Sequence, residues 1–299
     1  MNALLIVNPA AGQGKPEAAL GELQAALGPL LGEIYLTQKA GDAENAAHGA
    51  GASGFDAVLV AGGDGTVNEA VNGLLSAPKP LPLGLVPLGT QNVLAHELGF
   101  GTGDDLFALE AWLRVGKIRR LDVGRLTCGS QSRYFVLMAG FGFDAVVVRD
   151  VLRSVKERIG PAAYALSTLG ALAKYRSTAI TLTLDGEQIS SEAFWVVVAN
   201  TASYGDKLIK LAPFAAPDDG WLDVCVFERP RLDRLGFATQ MVAVLARRHL
   251  RDPSVRYYRA KTIMLSSEPA ISGHLDGEMF GATPVEITVV PQALSVFVP

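Results

Sequence analysis

The stretch Ala61-Gly62-Gly63-Asp64-Gly65-Thr66-Val67-Asn68-Glu69 decides how the first half of this chain folds. Before it, Phe55-Asp56-Ala57-Val58-Leu59-Val60 reads as a buried strand. After it, Ala70-Val71-Asn72-Gly73-Leu74-Leu75 reads as the start of a helix, which we expect to run over 67–75. A strand, a glycine turn and a helix together hold phosphate well. Glycines let the backbone approach a polyanion, and the helix N-terminus offers unpaired N–H groups and a partial positive charge. Asp64 is the unexpected element, because phosphate loops usually avoid negative charge. An acid fits there if a metal ion or a substrate hydroxyl sits beside it.

Two further turns share this pattern. Asn8-Pro9-Ala10-Ala11-Gly12-Gln13-Gly14-Lys15 follows the strand Ala3–Val7, and Pro87-Leu88-Gly89-Thr90-Gln91-Asn92 follows the strand at 83–87. The first lacks the spacing and the Lys-Ser/Thr ending of a P-loop, so by itself it is an ordinary strand-to-helix turn. All three turns lie at C-terminal strand ends, which line one crevice in an open parallel sheet. With helices expected over 16–27, 43–52 and 104–115, the first 125 residues alternate strand and helix. That rhythm predicts a doubly wound α/β domain over 1–125.

From about 119 the rhythm changes to short strand-like runs at 119–127, 133–139, 179–184, 193–199, 222–227, 261–266 and 285–290. Helical segments at 144–175 and 231–250 interrupt them. This predicts an antiparallel β-sandwich over 126–299, with the last strand a candidate to return to the first domain. The segment Gly160–Leu172, apolar and rich in small residues, reads as core or as the wall of a lipid-accepting groove.

Composition bounds the function. The chain has 299 residues, 49% hydrophobic, enough for two domains with real cores. A net charge of −4 argues against nucleic acid as a partner. Charge is uneven: 229–261 holds nine Lys/Arg against Asp233 and Asp252. A solvated helix face explains its basic end, Arg247-Arg248-His249-Leu250-Arg251, and so does contact with anionic lipid. Cys128 and Cys225 do not make a disulfide framework. With no signal-like N-terminus and no apolar run of about 18 residues, we expect a cytoplasmic protein that can touch the inner membrane peripherally. His48, His96, His249 and His274 lack metal-ligand spacing.

Three motifs of the second half carry acids. Gly140-Phe141-Gly142-Phe143-Asp144 joins a strand to a helix, as a capped turn or as part of a site. Asp218-Asp219-Gly220-Trp221 is most simply a turn, although its carboxylates suit a hard cation. His274-Leu275-Asp276-Gly277-Glu278 reads as a hairpin turn or as a second acidic cluster. Phosphoryl transfer to a hydroxyl needs Mg²⁺ against the phosphates and a carboxylate for the proton. Asp64, Asp276 and Glu278 can divide those tasks.

In this order the five motifs resemble the diacylglycerol kinase catalytic-domain family, which includes bacterial lipid kinases and the sphingosine and ceramide kinases. They are Asn-Pro-x-x-Gly, Gly-Gly-Asp-Gly-Thr-x-Asn-Glu, Pro-Leu-Gly-Thr-x-Asn, Gly-x-Gly-Phe-Asp and Asp-Gly-Glu. The resemblance implies an ATP- and Mg²⁺-dependent kinase of diacylglycerol or a similar lipid, met at a membrane surface. It implies nucleotide contacts from Asn8, Thr37, Gly62, Gly63, Asp64, Gly65, Thr66, Val67, Asn68, Glu69, Thr90 and Asn92. Glu278 matches the family's proton acceptor, and Asp64 and Asp276 match Mg²⁺ or base positions. Asp219, with the carbonyls of Ala216 and Trp221, matches a structural Mg²⁺ loop. One departure concerns the acceptor: many members continue the third motif as Gly-Asn-Asp-Phe-Ala-Arg, where this chain has Gln91-Asn92-Val93-Leu94-Ala95-His96. The alternatives are a kinase of a soluble acceptor, like the NAD kinases that share Gly-Gly-Asp-Gly, and a non-enzymatic lipid or nucleotide sensor.

Overall fold

Ala3–Val7 and Ala57–Gly62 are buried at every residue, as strands covered on both faces must be. They form the centre of the first of two units in the computed structural model, which describes residues 1–13, 19–101, 106–146 and 175–299. The first unit is Met1–Val123 with Pro291–Pro299, and the second is Gly124–Val290.

In the first unit the order is β1 (Ala3–Val7), α1 (Leu20–Leu27), β2 (Leu31–Leu36), α2 (Asp42–Ala50), β3 (Ala57–Gly62), α3 (Asp64–Ser76), β4 (Leu83–Pro87), α4 (Val93–Glu97) and α5 (Leu106–Val115). The strands pair in parallel as β2-β1-β3-β4, the expected doubly wound arrangement. Strand order reverses between β1 and β3, so the turns after these two strands flank the switch point where such sheets bind ligands. Helix α3 begins at Asp64, three residues before the sequence-based start at Val67. Gly63 is extended (φ −103°, ψ −177°) and its carbonyl accepts the N–H of Val67 at 3.1 Å, so the helix follows the strand at once. Against α2, the backbone of Gly73 in α3 approaches the Glu44 carbonyl so closely that a Cβ would stand 2.1 Å from it.

The second unit holds β5 (Ile118–Cys128, which enters from the first unit), β6 (Gln131–Phe135), β7 (Met138–Gly142), β8 (Thr178–Leu184), β9 (Glu187–Ala199), β10 (Ser203–Tyr204), β11 (Asp206–Lys210), β12 (Leu222–Glu228), α6 (Asp233–Leu245), β13 (Val255–Ala260), β14 (Thr262–Glu268), β15 (Ser272–Leu275), β16 (Glu278–Ala282) and β17 (Val285–Phe297, which ends in the first unit). Strands β5 to β9 and β12 to β16 pair antiparallel with their neighbours in this unit. The 13-residue β9 pairs with β8 along Glu187–Ala193 and with β7 and β12 toward Ala199. Phe135, Phe141, Val196, Val198, Val224, Ile263 and Ile287 are among the side chains that fill the core. β17 pairs with β14 through Thr288 and, in parallel, with β4 at Val296↔Leu83.

The sequence reads 133–139 as one strand, but the chain breaks it between Phe135 and Met138. The N–H groups of Val136, Leu137 and Met138 turn to the Asp276 carboxylate. Asn200 adds bonds to the carbonyls of Val136 and Leu137. The sequence does not predict β13, because Arg256, Tyr257, Tyr258 and Arg259 hide its alternation. Cys128 and Cys225 are free thiols, and burial pushes the Cys225 thiol up to about 12. Among the described residues, no helix is long and apolar enough to cross a membrane. The expected helix over 144–175 is described only at its ends, and Gly160–Leu172 lies outside the described residues.

Candidate active site

The three glycine turns of the first unit meet at the switch point. Gly89 donates its N–H to the Gly62 carbonyl at 3.0 Å, and a Cβ on Gly89 would fall 2.3 Å from Gly63 Cα. Gly12 has a left-handed backbone (φ +53°), and its Cβ would fall 2.1 Å from the Leu88 carbonyl oxygen. Glycine is required at both positions, at Gly89 for the approach of two backbones and at Gly12 for its φ as well.

Side chains lock the turns together. Asn8 Nδ2 donates to Thr66 Oγ1 at 2.9 Å, and the Asn8 N–H reaches the Ala61 carbonyl at 3.0 Å. Thr37 is buried beyond β2, and its N–H bonds the Val7 carbonyl at 2.9 Å, which sets it beside the end of β1. Asn92, left-handed at φ 48°, folds its side chain back on its own turn. Its Oδ1 accepts the Gly89 N–H at 3.0 Å, and its Nδ2 donates to the carbonyls of Pro87 and Gly89. Thr90 is exposed on the same turn. Asn68 is buried and bonded to Asn72 one turn further along α3, and Glu69 lies half-buried in the helix's second turn.

Asp64 occupies the first turn of α3, where the N-terminal partial charge favours an acid. Its Oδ1 accepts the Leu94 N–H at 3.2 Å, so one carboxylate joins α3 to the start of α4. Burial pushes the Asp64 carboxyl above its ordinary value, although amide N–H groups of Val93 and Leu94 draw it back. Gly62, Gly63, Asp64, Asn92 and Leu94 line a shared recess.

The acids of the second unit have their own surroundings. Asp276 (φ 48°) and Gly277 (φ 88°) form the two-residue turn between β15 and β16, and Glu278 opens β16, exposed. Two left-handed residues suit a tight hairpin, as Asp-Gly leads one to expect. Asp276 Oδ2 accepts the Val136 N–H at 2.8 Å, Oδ1 accepts those of Leu137 and Met138 at 2.9 Å, and the Asp276 N–H bonds the Met138 carbonyl at 2.9 Å.

Behind this turn lies a buried group that the sequence does not reveal. His274 Nε2 meets Asp144 Oδ2 at 2.5 Å, and Tyr204 donates its hydroxyl to Asp144 Oδ1. The other ring nitrogen, Nδ1, receives the Gly277 N–H at 3.3 Å. Gly140 lies opposite His274 in the β7–β15 ladder, and a Cβ there would come within 2.1 Å of Asp144 Oδ2 and 2.3 Å of His274 Nε2. The Gly-x-Gly-Phe-Asp motif therefore makes room for an ion pair. The only sequence signal is the coincidence of a small residue, an acid and a histidine, 130 residues apart for the last two.

Asp219 Oδ1 accepts the Trp221 N–H at 3.1 Å, and Asp219 Oδ2 pairs with Arg259. Arg259 also lies 3.7 Å from the buried Asp223, whose Oδ1 accepts the Tyr257 hydroxyl at 2.7 Å. Burial pushes Asp223 up from the usual carboxylate range. Among the described residues, no three His, Cys, Asp or Glu side chains surround a common point. A cation at Asp219 would therefore rely on backbone carbonyls such as those of Ala216 and Trp221.

Residues 2–126 match the family model of the diacylglycerol kinase catalytic domain, and 138–298 match the YegS C-terminal NAD kinase beta sandwich-like domain. A diacylglycerol kinase of Staphylococcus saprophyticus is 32% identical over 267 residues, 89% of this chain and 84% of the relative. One from Bacillus subtilis is 31% identical over 265 residues, 89% of this chain and 85% of the relative. The crystal structure of a diacylglycerol kinase from Bacillus anthracis superposes with a TM-score of 0.72 at 24% identity, covering 100% of this chain and 97% of that one, which supports the fold.

Proposed function

This chain belongs to the diacylglycerol kinase family and is a lipid kinase, and from that premise we propose that it transfers the γ-phosphoryl group of ATP, with Mg²⁺, to the hydroxyl of diacylglycerol. One observation carries the nucleotide part: three glycine turns in backbone contact at the sheet's switch point, beside the N-terminus of α3. Backbone N–H groups of Gly62 to Asn68 and the helix N-terminus bind the phosphates. Asn8 holds Thr66 in place, and Thr37, Glu69, Thr90 and Asn92 complete the nucleotide surroundings.

The residues present fit a cation. Asp64 is a half-buried acid in a glycine turn, and a neighbouring positive charge offsets the burial that opposes its ionisation. Bound there, Mg²⁺ supplies positive charge against the phosphates. Glu278 takes the hydroxyl proton. Asp276, with its oxygens on three backbone amides, holds the turn that carries Glu278. A second, structural Mg²⁺ at Asp219, with the Ala216 and Trp221 carbonyls, would have to displace the Arg259 guanidinium that pairs with this carboxylate. The buried Asp223 Oδ2 beside it, which has no hydrogen-bond partner among the described residues, supports a cation there. Because the acyl chains of diacylglycerol stay in the bilayer, the enzyme works at a membrane surface.

The test combines purified protein, labelled ATP and diacylglycerol in mixed micelles, beside a total lipid extract. We expect phosphatidic acid. A labelled product from another lipid alone would overturn the acceptor. Glu278→Gln should abolish transfer and retain ATP binding, and full activity in that variant would remove Glu278 from its role.

A further inference from the structure

Helix α6 is fastened to the second unit by one face. Phe237 stacks on Phe194 with ring centroids 4.6 Å apart and meets Phe143 edge-on at 5.0 Å. Gln240 donates to Ser254 Oγ at 2.9 Å, and Gly236 approaches Pro230 where a Cβ would lie 2.6 Å from its ring. These buried positions, with Val244, form one stripe at helical spacing.

The outward face is also apolar. Leu232, Leu235, Val242 and Leu245 are 67%, 65%, 66% and 66% exposed. Leu235, Val242 and Leu245 lie along a helix of 13 residues, about 20 Å long, and Leu232 stands immediately before it, so the four form a ridge. A ridge of four large apolar side chains is not the ordinary outer face of a surface helix, and such patches mark contact sites. Charge identifies the partner. Arg231 stands exposed before the helix, and Arg248 and Arg251 stand exposed after it. Across 229–252 six arginines face two aspartates, a local balance of +4 in a chain of net −4. Of those aspartates, Asp233 pairs with Arg229, and Asp252 accepts from Ser254. Apolar side chains between basic ends are the pattern of a helix that lies in a bilayer surface.

We propose that the outward face of α6 docks the enzyme on an anionic bilayer, with Leu232, Leu235, Val242 and Leu245 among the acyl chains and Arg231, Arg248 and Arg251 on the lipid phosphates. This rests on the lipid-kinase reading for its purpose but is tested apart from it. Vesicles of phosphatidylglycerol in phosphatidylcholine are sedimented with the full chain, with pure phosphatidylcholine as the comparison. Wild type should bind the anionic vesicles, less so as salt rises. Arg231→Glu with Arg248→Glu should weaken binding about twentyfold or more, since each arginine at such a surface contributes about fivefold. Leu235→Asp with Val242→Asp should weaken it at least about tenfold. Both pairs are exposed, so the fold should persist, as circular dichroism checks. Both should retain wild-type turnover of a short-chain, water-dispersed diacylglycerol.

Wild-type binding by the variants would overturn the docking face, and so would wild type left in the supernatant. A dimer in analytical ultracentrifugation that Leu235→Asp with Val242→Asp dissociates would assign the ridge to a second copy instead. Vesicle binding without phosphorylation of any lipid would overturn the proposed reaction and leave the docking face standing.

Discussion

Asn8 and Thr66, 58 residues apart, are joined by a hydrogen bond from Asn8 Nδ2 to Thr66 Oγ1 at 2.9 Å. It ties the turn after β1 to the first turn of α3, across the point where strand order reverses. Thr66 in turn packs on Gly62, where a Cβ would lie 2.9 Å from Oγ1. The glycine turn that we propose for phosphate binding is thus held from both sides by side chains of Asn8 and Thr66.

From this we expect Asn8→Ala to raise the KM for ATP. It should also lower unfolding stability by about 1 kcal/mol, the usual worth of one such bond. Thr66→Val should do the same, whereas Thr66→Ser should keep most of both. Steady-state kinetics beside chemical denaturation would check this. An unchanged KM in Asn8→Ala would mean that the tether does not shape the site.

Gly89→Ala tests the contact between turns. Its methyl would meet Gly63 Cα at 2.3 Å, and backbone cannot yield as a flexible side chain does. We expect a loss of about 1–3 kcal/mol of stability and much weaker ATP binding, read by calorimetry. Gly99→Ala is the control for a positive-φ glycine alone, because a methyl there would meet no atom within 4 Å. It should lose stability and leave ATP affinity unchanged.

Asp64 gives a prediction with a definite sign. Burial raises its folded-state carboxyl above the unfolded value. The folded state therefore holds the proton more tightly, and ionisation works against folding as pH rises from about 4 through the raised value. Asp64→Asn keeps an acceptor for the Leu94 N–H and removes that charge. Its stability relative to wild type should grow over that pH range and level off above it. Its phosphoryl transfer should fall about a hundredfold or more. A pH-independent difference in stability would show that the acid is not held against its charge.

The Asp144–His274 pair should be costly to break from one side. Among the described residues, His274→Ala leaves Asp144 buried with Tyr204 as its side-chain partner, and we expect a loss of about 3–5 kcal/mol. His274→Gln keeps a donor and should lose less. Because His274 also receives the Gly277 N–H, kcat should fall in His274→Gln while ATP binding, which we propose for the first unit, holds. Equal loss of kcat and of ATP affinity would point to general unfolding instead.

Much is readable in the residues because it is local. Gly62 and Gly63 before Asp64 mark the step from strand to helix within a few residues: Gly63 is extended, and a Cβ on Gly62 would meet Thr66 only four residues on. Asp276-Gly277 specifies its hairpin in the same way. The break within 133–139 escapes a sequence reading for the opposite reason. The alternation there is sound, but three N–H groups are claimed by Asp276, 138 to 140 residues later.

The sequence by itself therefore determined the two fold classes and the three glycine turns, and it supplied the acids from which the phosphoryl-transfer site is proposed. Backbone freedom, helix polarity and hydrophobic period act over a few residues and are legible one segment at a time. Only the tertiary structure decided which of those residues hold one another. It set Asn8 on Thr66, Asp64 on the start of α4, Asp276 on the amides of β7's approach and His274 on Asp144. Hydrogen bonds and ion pairs depend on atoms within about 3 Å in space, and a chain order carries no record of that distance.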